Sequence, residues 1–444
     1  MRKVLSGFVF FLSLPVAALA GPVTQFKLDN GLDVVVIEDH RAPVAVQMMW
    51  YRIGAADEPP GHSGIAHFFE HLMFKATDDL KAGEFSDIVE AQGGNDNAFT
   101  SWDYTTYYQR VAADRLDLMM KIEADRMRDL QLTDDVVTTE RNVILEERNQ
   151  RVDSDPGSLF SEQTRAAQYL NHPYGIPVIG WRHEIAALNR ADAEAFYKTF
   201  YAPNNAVLVV AGDVTPEAVR QMAETHYGPV APTADLPARH RPSEPPQLAE
   251  RRLTMRDARV SQPFIMRSYL APKRRSGDQK EAAALLYLAE LLGGSGTTSL
   301  FARQLQFADP KAVYSYAFYD GTALDSGTFG LGLVPLPDVK PEEAEAAMDK
   351  VIADFLASGP DRPAFDRIRT QLRAAEIYGR DDAQGLAQRY GEALSVGLTV
   401  QDVQDWPQVL QEVTPEDVME VARKVLDRRQ AVTGWLLTDE EAAQ

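Results

Sequence analysis

A run of prolines near its middle constrains this chain more than any other feature. Pro229, Pro232, Pro237, Pro242, Pro245 and Pro246 sit among Ala, Arg and Glu. Each fixes φ and removes a backbone donor, so the run can continue neither a helix nor an interior strand. It reads as an extended linker over 229–248. The 444 residues therefore divide into a first domain over 21–228 and a second over 249–444, consistent with roughly 100–200 residues per domain.

The two halves carry a similar order of elements. Strands are predicted at 23–28 and 32–37, on either side of the hairpin signal Asn30-Gly31, and at 44–53. Helical periodicity follows at 63–75, 82–92, 112–129, 138–151 and 190–200, then a strand at 206–211. Beyond the linker a strand pattern at 260–270 precedes a helix at 278–292, strands at 312–318 and 328–333, and helices at 341–357 and 362–395. The expected fold class is α+β: two similar domains, each a mainly antiparallel sheet with helices packed on one face.

Arg2 and Lys3, the apolar run 4–14 and Ala18-Leu19-Ala20 have the form of a cleaved export signal over 1–20. The run is shorter than the roughly 20 residues that span a bilayer. The expectation is a periplasmic protein with no membrane span after cleavage. Lys+Arg number 45 against 65 Asp+Glu, a net charge of −20. A field of that sign repels phosphate chains and sets nucleic acid aside as a partner. There is no cysteine, which removes disulfides, thiolate nucleophiles and thiolate zinc ligands. Any metal must be held by His and carboxylates.

His67-Phe68-Phe69-Glu70-His71 meets that requirement. Residues four apart lie one turn apart on the same helical face, so both imidazoles can grip one ion. Ser63 is the expected N-cap of their helix. Glu70 lies near the same face, where it can serve as general base on a metal-bound water without being a ligand. A catalytic zinc takes a third protein ligand. The other histidines, His40, His62, His172, His183, His226 and His240, have no spacing partner and read as solvent-facing or structural. In 140–147, Glu140, Val143, Ile144 and Glu147 share one helical face and Glu146 is turned about 100° away. This makes Glu147 the candidate third ligand and Glu140 a carboxylate that orients a ligand imidazole. By spacing alone, a solvated charged helix accounts for Glu147 equally well.

His67-x-x-Glu70-His71 followed by Glu147 resembles the inverzincin zinc peptidases, the M16 family of pitrilysin and mitochondrial processing peptidase. The segments 28–32, 93–100, 172–174 and 196–205 agree with it, and the likeness runs through nearly all of the chain after residue 20. It implies one Zn2+ per chain on His67, His71 and Glu147, with Glu70 catalytic. It also implies that Asn97 and Ala98 hold peptide substrate along a sheet edge. The length matches the short two-domain class, in which two chains close a clamshell around the peptide, each chain forming half.

The second half departs from this pattern. Residues 285–290, at the place of the metal helix, contain no histidine, so no zinc is expected there. Family members carry an Arg and Tyr in this half that contact substrate. Here Gln306 stands at the arginine place, Tyr314 is the candidate transition-state contact, and Arg303 is a candidate substitute. The resemblance then implies a heterodimer, in preference to a homodimer, with a zinc-free homologue supplying the Arg/Tyr pair. The expected function is a zinc metalloendopeptidase acting on peptides or unfolded segments within a dimeric chamber. The alternative is a non-catalytic peptide-holding or assembly subunit of the same fold.

Overall fold

The structure is a computed structural model that describes residues 23–294 and 296–439; the expected export signal lies outside the described residues. Asn30-Gly31 turns the chain between β1 (Val23–Lys27) and β2 (Asp33–Glu38), which pair antiparallel from Val23↔Ile37 to Lys27↔Asp33. Gly31 takes φ 93°, the left-handed region that favours glycine. Asn30 donates its carboxamide to the carbonyls of Tyr227 (2.7 Å) and Val230 (3.0 Å), tying the hairpin to the start of the linker.

With β3 (Val44–Tyr51), β4 (Asn95–Thr100), β5 (Thr105–Ala112) and β6 (Ala206–Gly212), these strands form a six-stranded sheet ordered β1-β2-β6-β3-β5-β4. Only β2 and β6 run parallel. A second sheet holds β7 (Arg251–Asp257), β8 (Phe264–Ala271), β9 (Ala312–Asp320), β10 (Gly327–Pro335) and β11 (Val432–Thr438), ordered β7-β11-β8-β10-β9. Its one parallel pair is β7 with β11. The five strands repeat β2 to β6 in chain order, position and sense. The duplication that is faint in the residues is explicit in the topology.

Each sheet carries its own helices on one face. In the first half these include α1 (Ile65–Leu72), α2 (Glu84–Ala91), α3 (Leu116–Arg126) and α4 (Asp134–Arg148). Strand alternation sends Val34, Val36, Met49, Tyr51, Leu208 and Val210 toward that layer. Val35, Ile37, Val46, Met48, Trp50, Val207 and Val209 go to the opposite face, which is also buried. What covers it comes from the other half: Leu386, Ala387, Tyr390, Ala393 and Leu394 of the helix Ala383–Ser395. Reciprocally, α5 (Pro156–Gln168) lays Phe160 against Val260 and Leu436 of the second half. A strand buried on both faces reads as an unbroken apolar run, which is how 206–211 reads.

This exchange corrects one expectation. The helix predicted over 362–395 is two helices, Arg362–Tyr378 and Ala383–Ser395. Asp382 breaks the run by accepting from the N–H of Gln384 (3.1 Å), and the second helix crosses to the first sheet. The predicted helix at 112–129 likewise begins only at Leu116, since Ala112 still pairs with Val44 in the sheet. Residues 227–250 contain neither helix nor strand. Within them Arg241 donates to Asp57 (2.8 Å), Asp103 (2.5 Å) and Asp325 (3.1 Å), pinning this segment to both halves. No described helix is long and apolar enough to cross a membrane.

Gly391 permits the crossing helix to dock. A Cβ built there would lie 2.1 Å from the ring of Trp50, whose side chain is fully buried. Helix propensity favours Gly391→Ala by about 1 kcal/mol, but overpacking against a rigid ring costs about 1–3 kcal/mol. The substitution is therefore expected to lower the thermal midpoint, and a raised midpoint would show that the helix does not bear on Trp50.

Candidate metal centre

The helix α1 buries Ile65, Ala66, Phe68, Phe69 and Leu72 beneath the first sheet. Its N-terminus differs from the expected one. Gly64, at φ 88°, takes the cap position, while Ser63 accepts from the N–H of Trp181 through Oγ (2.8 Å). Glu58 caps the helix instead, accepting from the N–H of Gly64 (2.9 Å) and of Ala66 (2.8 Å). A carboxylate satisfies two orphan donors and the positive end of the helix at once, which leaves Ser63 free to hold the neighbouring loop.

One turn apart, the imidazoles of His67 and His71 have ring centres 4.9 Å apart. The helix α4, capped by Thr133, buries Val137, Glu140, Ile144 and Arg148 and packs against α1. It brings Glu147 Oε2 to 3.6 Å from His67 Nε2 and 3.4 Å from His71 Nε2. Among the described residues, this is the one group of three or more His, Asp or Glu side chains placed to hold a metal ion, with ligand atoms within 4.8 Å of one another. Among the described residues the buried Glu147 Oε2 has no well-formed hydrogen bond, the two imidazole nitrogens facing it from 3.6 and 3.4 Å. An orphaned buried carboxylate oxygen costs about 1–3 kcal/mol or more, and a divalent cation between it and the two ring nitrogens removes that cost. The donor set, two imidazoles and one carboxylate, is one that zinc accepts.

The oxygens turned away from this point are held by donors. His71 Nδ1 lies 2.9 Å from Glu140 Oε1, and Lys75 pairs with the other oxygen of Glu140. Arg151 holds Glu147 Oε1 at 2.9 Å. His67 Nδ1, though buried, has no such partner. Burial, aided by the charge of His71, pushes His67 down to about 4. For His71, burial acts in the same direction, but the facing carboxylates Glu140 and Glu147 outweigh it and lift the ring to about 9. The imidazole of His71 holds the Glu147 carboxyl below its ordinary range. Burial alone would raise Glu140, but His71 and Lys75 bring it below that range as well.

Glu70 stands outside the ligand triangle on the same helix. Burial raises its pKa, with a hydrogen bond from Thr100 in opposition. Thr100 Oγ donates to Glu70 Oε2 at 2.5 Å. Thr100 ends β4, the edge strand of the first sheet. On the same strand, Ala98 donates its N–H to Oδ1 of Asn97 (2.8 Å). Outside α4, Thr139, Asn142, Val143, Glu146, Glu147 and Gln150 line an open hollow of about 510 Å³. Val143, read as sharing the buried face, is instead 45 % exposed in this hollow, because Val137, Glu140, Ile144 and Arg148 form the buried stripe.

The structure thus brings His67, His71, Glu147 and Glu140 together, with Glu70 beside them and Asn97 and Ala98 on the strand that holds Glu70. Tyr314 is not in this cluster. It lies on β9, the second sheet's counterpart of β4, 57 % exposed with its ring 6.0 Å from that of Tyr316. Gln306 is turned to Ser315 Oγ (2.8 Å), and Arg303 faces Asp361 (3.9 Å). Lys75, Arg151 and Thr100 join the site without an expectation from the residues. The first two lie four residues from His71 and Glu147, a spacing that could have flagged them; nothing local points from Thr100 to Glu70.

Two family models match the chain: "Insulinase (Peptidase family M16)" over residues 33–181 and "Peptidase M16 inactive domain" over 187–372. The chain is 30% identical over 417 residues to "Zinc protease PqqE" of Helicobacter pylori (strain ATCC 700392 / 26695), covering 92% of this chain and 91% of that protein. A crystal structure of a protease from Helicobacter pylori superimposes with TM-score 0.88 at 27% identity, covering 94% of this chain and all of that one. The first half of the periplasmic protease PqqL from Escherichia coli has the same fold, with TM-score 0.81 at 20% identity, covering 96% and 94%.

Proposed function

The chain belongs to peptidase family M16, and from that premise we propose that it is a zinc metalloendopeptidase whose ligands are His67, His71 and Glu147 and whose general base is Glu70. The observation that carries this reading is the buried Glu147 oxygen that faces two imidazole nitrogens without a well-formed hydrogen bond. Zinc bound there supplies a Lewis acid for the scissile carbonyl and lowers the pKa of the attacking water. Glu70 accepts the proton of that water and returns it to the leaving amine. Glu140 accepts from His71 Nδ1 and so turns Nε2 toward the ligand position, while Lys75 keeps Glu140 in place.

The peptide lies along β4 as an added strand, beside Asn97 and Ala98. In favour of this, among the described residues β4 has a neighbour on one side only, and an open edge offers unpaired backbone donors and acceptors. The second half binds no zinc and completes the chamber. Because Gln306 stands at the place of the family's arginine and is turned to Ser315 Oγ, the missing Arg/Tyr pair comes from a zinc-free homologue in a heterodimer, with Tyr314 a candidate contact on this chain. The export pattern in 1–20 puts the enzyme in the periplasm, the compartment named for the Escherichia coli protein of the same fold.

The purified chain is expected to carry one zinc and to cleave an unfolded polypeptide only together with its homologue, with activity abolished by a chelator and restored by zinc. Full activity from the chain alone would overturn the heterodimer. Chelator-insensitive cleavage, or none in the complex, would overturn the peptidase.

A further inference from the structure

Thr100, the last residue of the open edge strand of the first sheet, hydrogen-bonds Glu70. Ser101 donates its N–H across the turn to the carbonyl of Tyr104 (2.8 Å), and Thr100 pairs with Thr105. In an antiparallel ladder the direction of the backbone groups alternates, so Asn97 and Phe99 bond to β5 while Ala98 and Thr100 turn their N–H and C=O to the free edge. The N–H of Ala98 is already taken by Asn97 Oδ1, and among the described residues no partner strand lies beyond. The hydroxyl of Thr100 projects from the face of the sheet to Glu70 Oε2 (2.5 Å), and among the described residues it gives the Glu70 side chain its one hydrogen bond.

The end of β4 is also a firm support. Ala55 donates to the carbonyl of Ser101 (3.0 Å) and Ala56 to that of Trp102 (2.9 Å), which ties the strand end to the turn Ala55–Asp57. Glu70, by contrast, projects from a helix with three single-bond torsions and without a second anchor. A carboxylate held at one oxygen presents the other in a fixed direction. Pinning by one short bond from a rigid strand end is how a general base is kept in reach of its proton.

We propose that Thr100 is a positioning residue that fixes the carboxylate of Glu70 and couples it to occupancy of the β4 edge, an inference that rests on the peptidase reading above. A peptide backbone pairing with β4 bonds to the N–H and C=O of Thr100. It restrains the residue whose side chain seats the base, so that substrate binding and base alignment occur together.

The test compares Thr100→Val, which keeps the shape and loses the hydroxyl, with Thr100→Ser, which keeps it, in the full chain. Crystals of the zinc-free variants give a readout that needs no turnover: Glu70 should leave its place in Thr100→Val and keep it in Thr100→Ser. In the zinc-loaded complex, with an internally quenched peptide long enough to run the length of β4, Thr100→Val should lose about tenfold to a hundredfold in kcat. Its KM should stay within about twofold, and its zinc content should be unchanged. Thr100→Ser should restore kcat to within about threefold of wild type. Glu70 unmoved in Thr100→Val, an unchanged kcat, or equal damage in Thr100→Ser would each overturn the positioning role. Failure of the peptidase reading has a separate signature: no chelator-sensitive cleavage by the wild-type complex, whatever the crystals show of Glu70.

Discussion

Replacing Glu70 by glutamine is expected to lower kcat by about three orders of magnitude, or about 4 kcal/mol of barrier, at the middle of the range attributed to general bases. Glutamine has the size of glutamate, and its carbonyl oxygen can still accept from Thr100 Oγ, so the pose survives while the capacity to take a proton does not. Zinc should be retained at one per chain, because Glu70 is not among the three groups whose ligand atoms converge. Stability should hold or rise. Burial lifts the Glu70 pKa, so the ionised carboxylate opposes folding once the pH exceeds its ordinary value, and the neutral amide removes that term. Three measurements separate the possibilities: kcat, metal content and thermal midpoint. A Glu70→Gln complex within tenfold of wild type would remove the base from the mechanism.

The second large effect concerns Glu147 and its neighbour. Glu147→Gln preserves volume and deletes the charge between two imidazoles, and Glu146→Gln makes the same chemical change one residue away. Structural zinc sites with four ligands are worth about 10–16 kcal/mol, about 2.5–4 kcal/mol for each ligand, so Glu147→Gln should weaken zinc binding by about two to three orders of magnitude. Glu146 accepts from Gln150 (2.9 Å) on the outer side of α4, and its replacement should leave zinc affinity unchanged. Titration of the apo chains with zinc against a competing chelator reads this directly. Equal affinities in the two variants would mean that the helix does not present Glu147 to the metal.

Much of this site was readable before any tertiary contact was known, and the reason is local. A four-residue spacing places His67 and His71 on one helical face whatever the helix packs against. The same periodicity separates Glu147 from Glu146 on α4. Alternation of apolar residues and the Asn30-Gly31 turn are likewise properties of a few consecutive residues, so the early strands emerged close to their observed bounds. The helix Lys280–Ala289, whose C-terminal part has no histidine, sits between β8 and β9 as α1 sits between β3 and β4.

What spacing could not supply is which element lies across from which. The cap of α1 is a case: Ser63 has the right residue type at the right place, yet Glu58 does the work, because Ser63 is engaged by Trp181 over a hundred residues away. The continuous helical pattern of 362–395 hid a break, because the residues after Asp382 are apolar to suit the other half's sheet and not their own. Thr100 looks like any strand threonine until β4 is seen to end beside α1.

Taken alone, the residues determined which side-chain types could hold a metal, their direction on each helix and the α+β pattern, since direction and pattern follow from short-range backbone geometry. Only the tertiary structure decided that α4 meets α1 face to face, that each half lends a helix to the other, and that an edge strand holds Glu70. Those contacts join residues tens to hundreds of positions apart, whose meeting is selected by the burial of whole apolar faces and by no local signal.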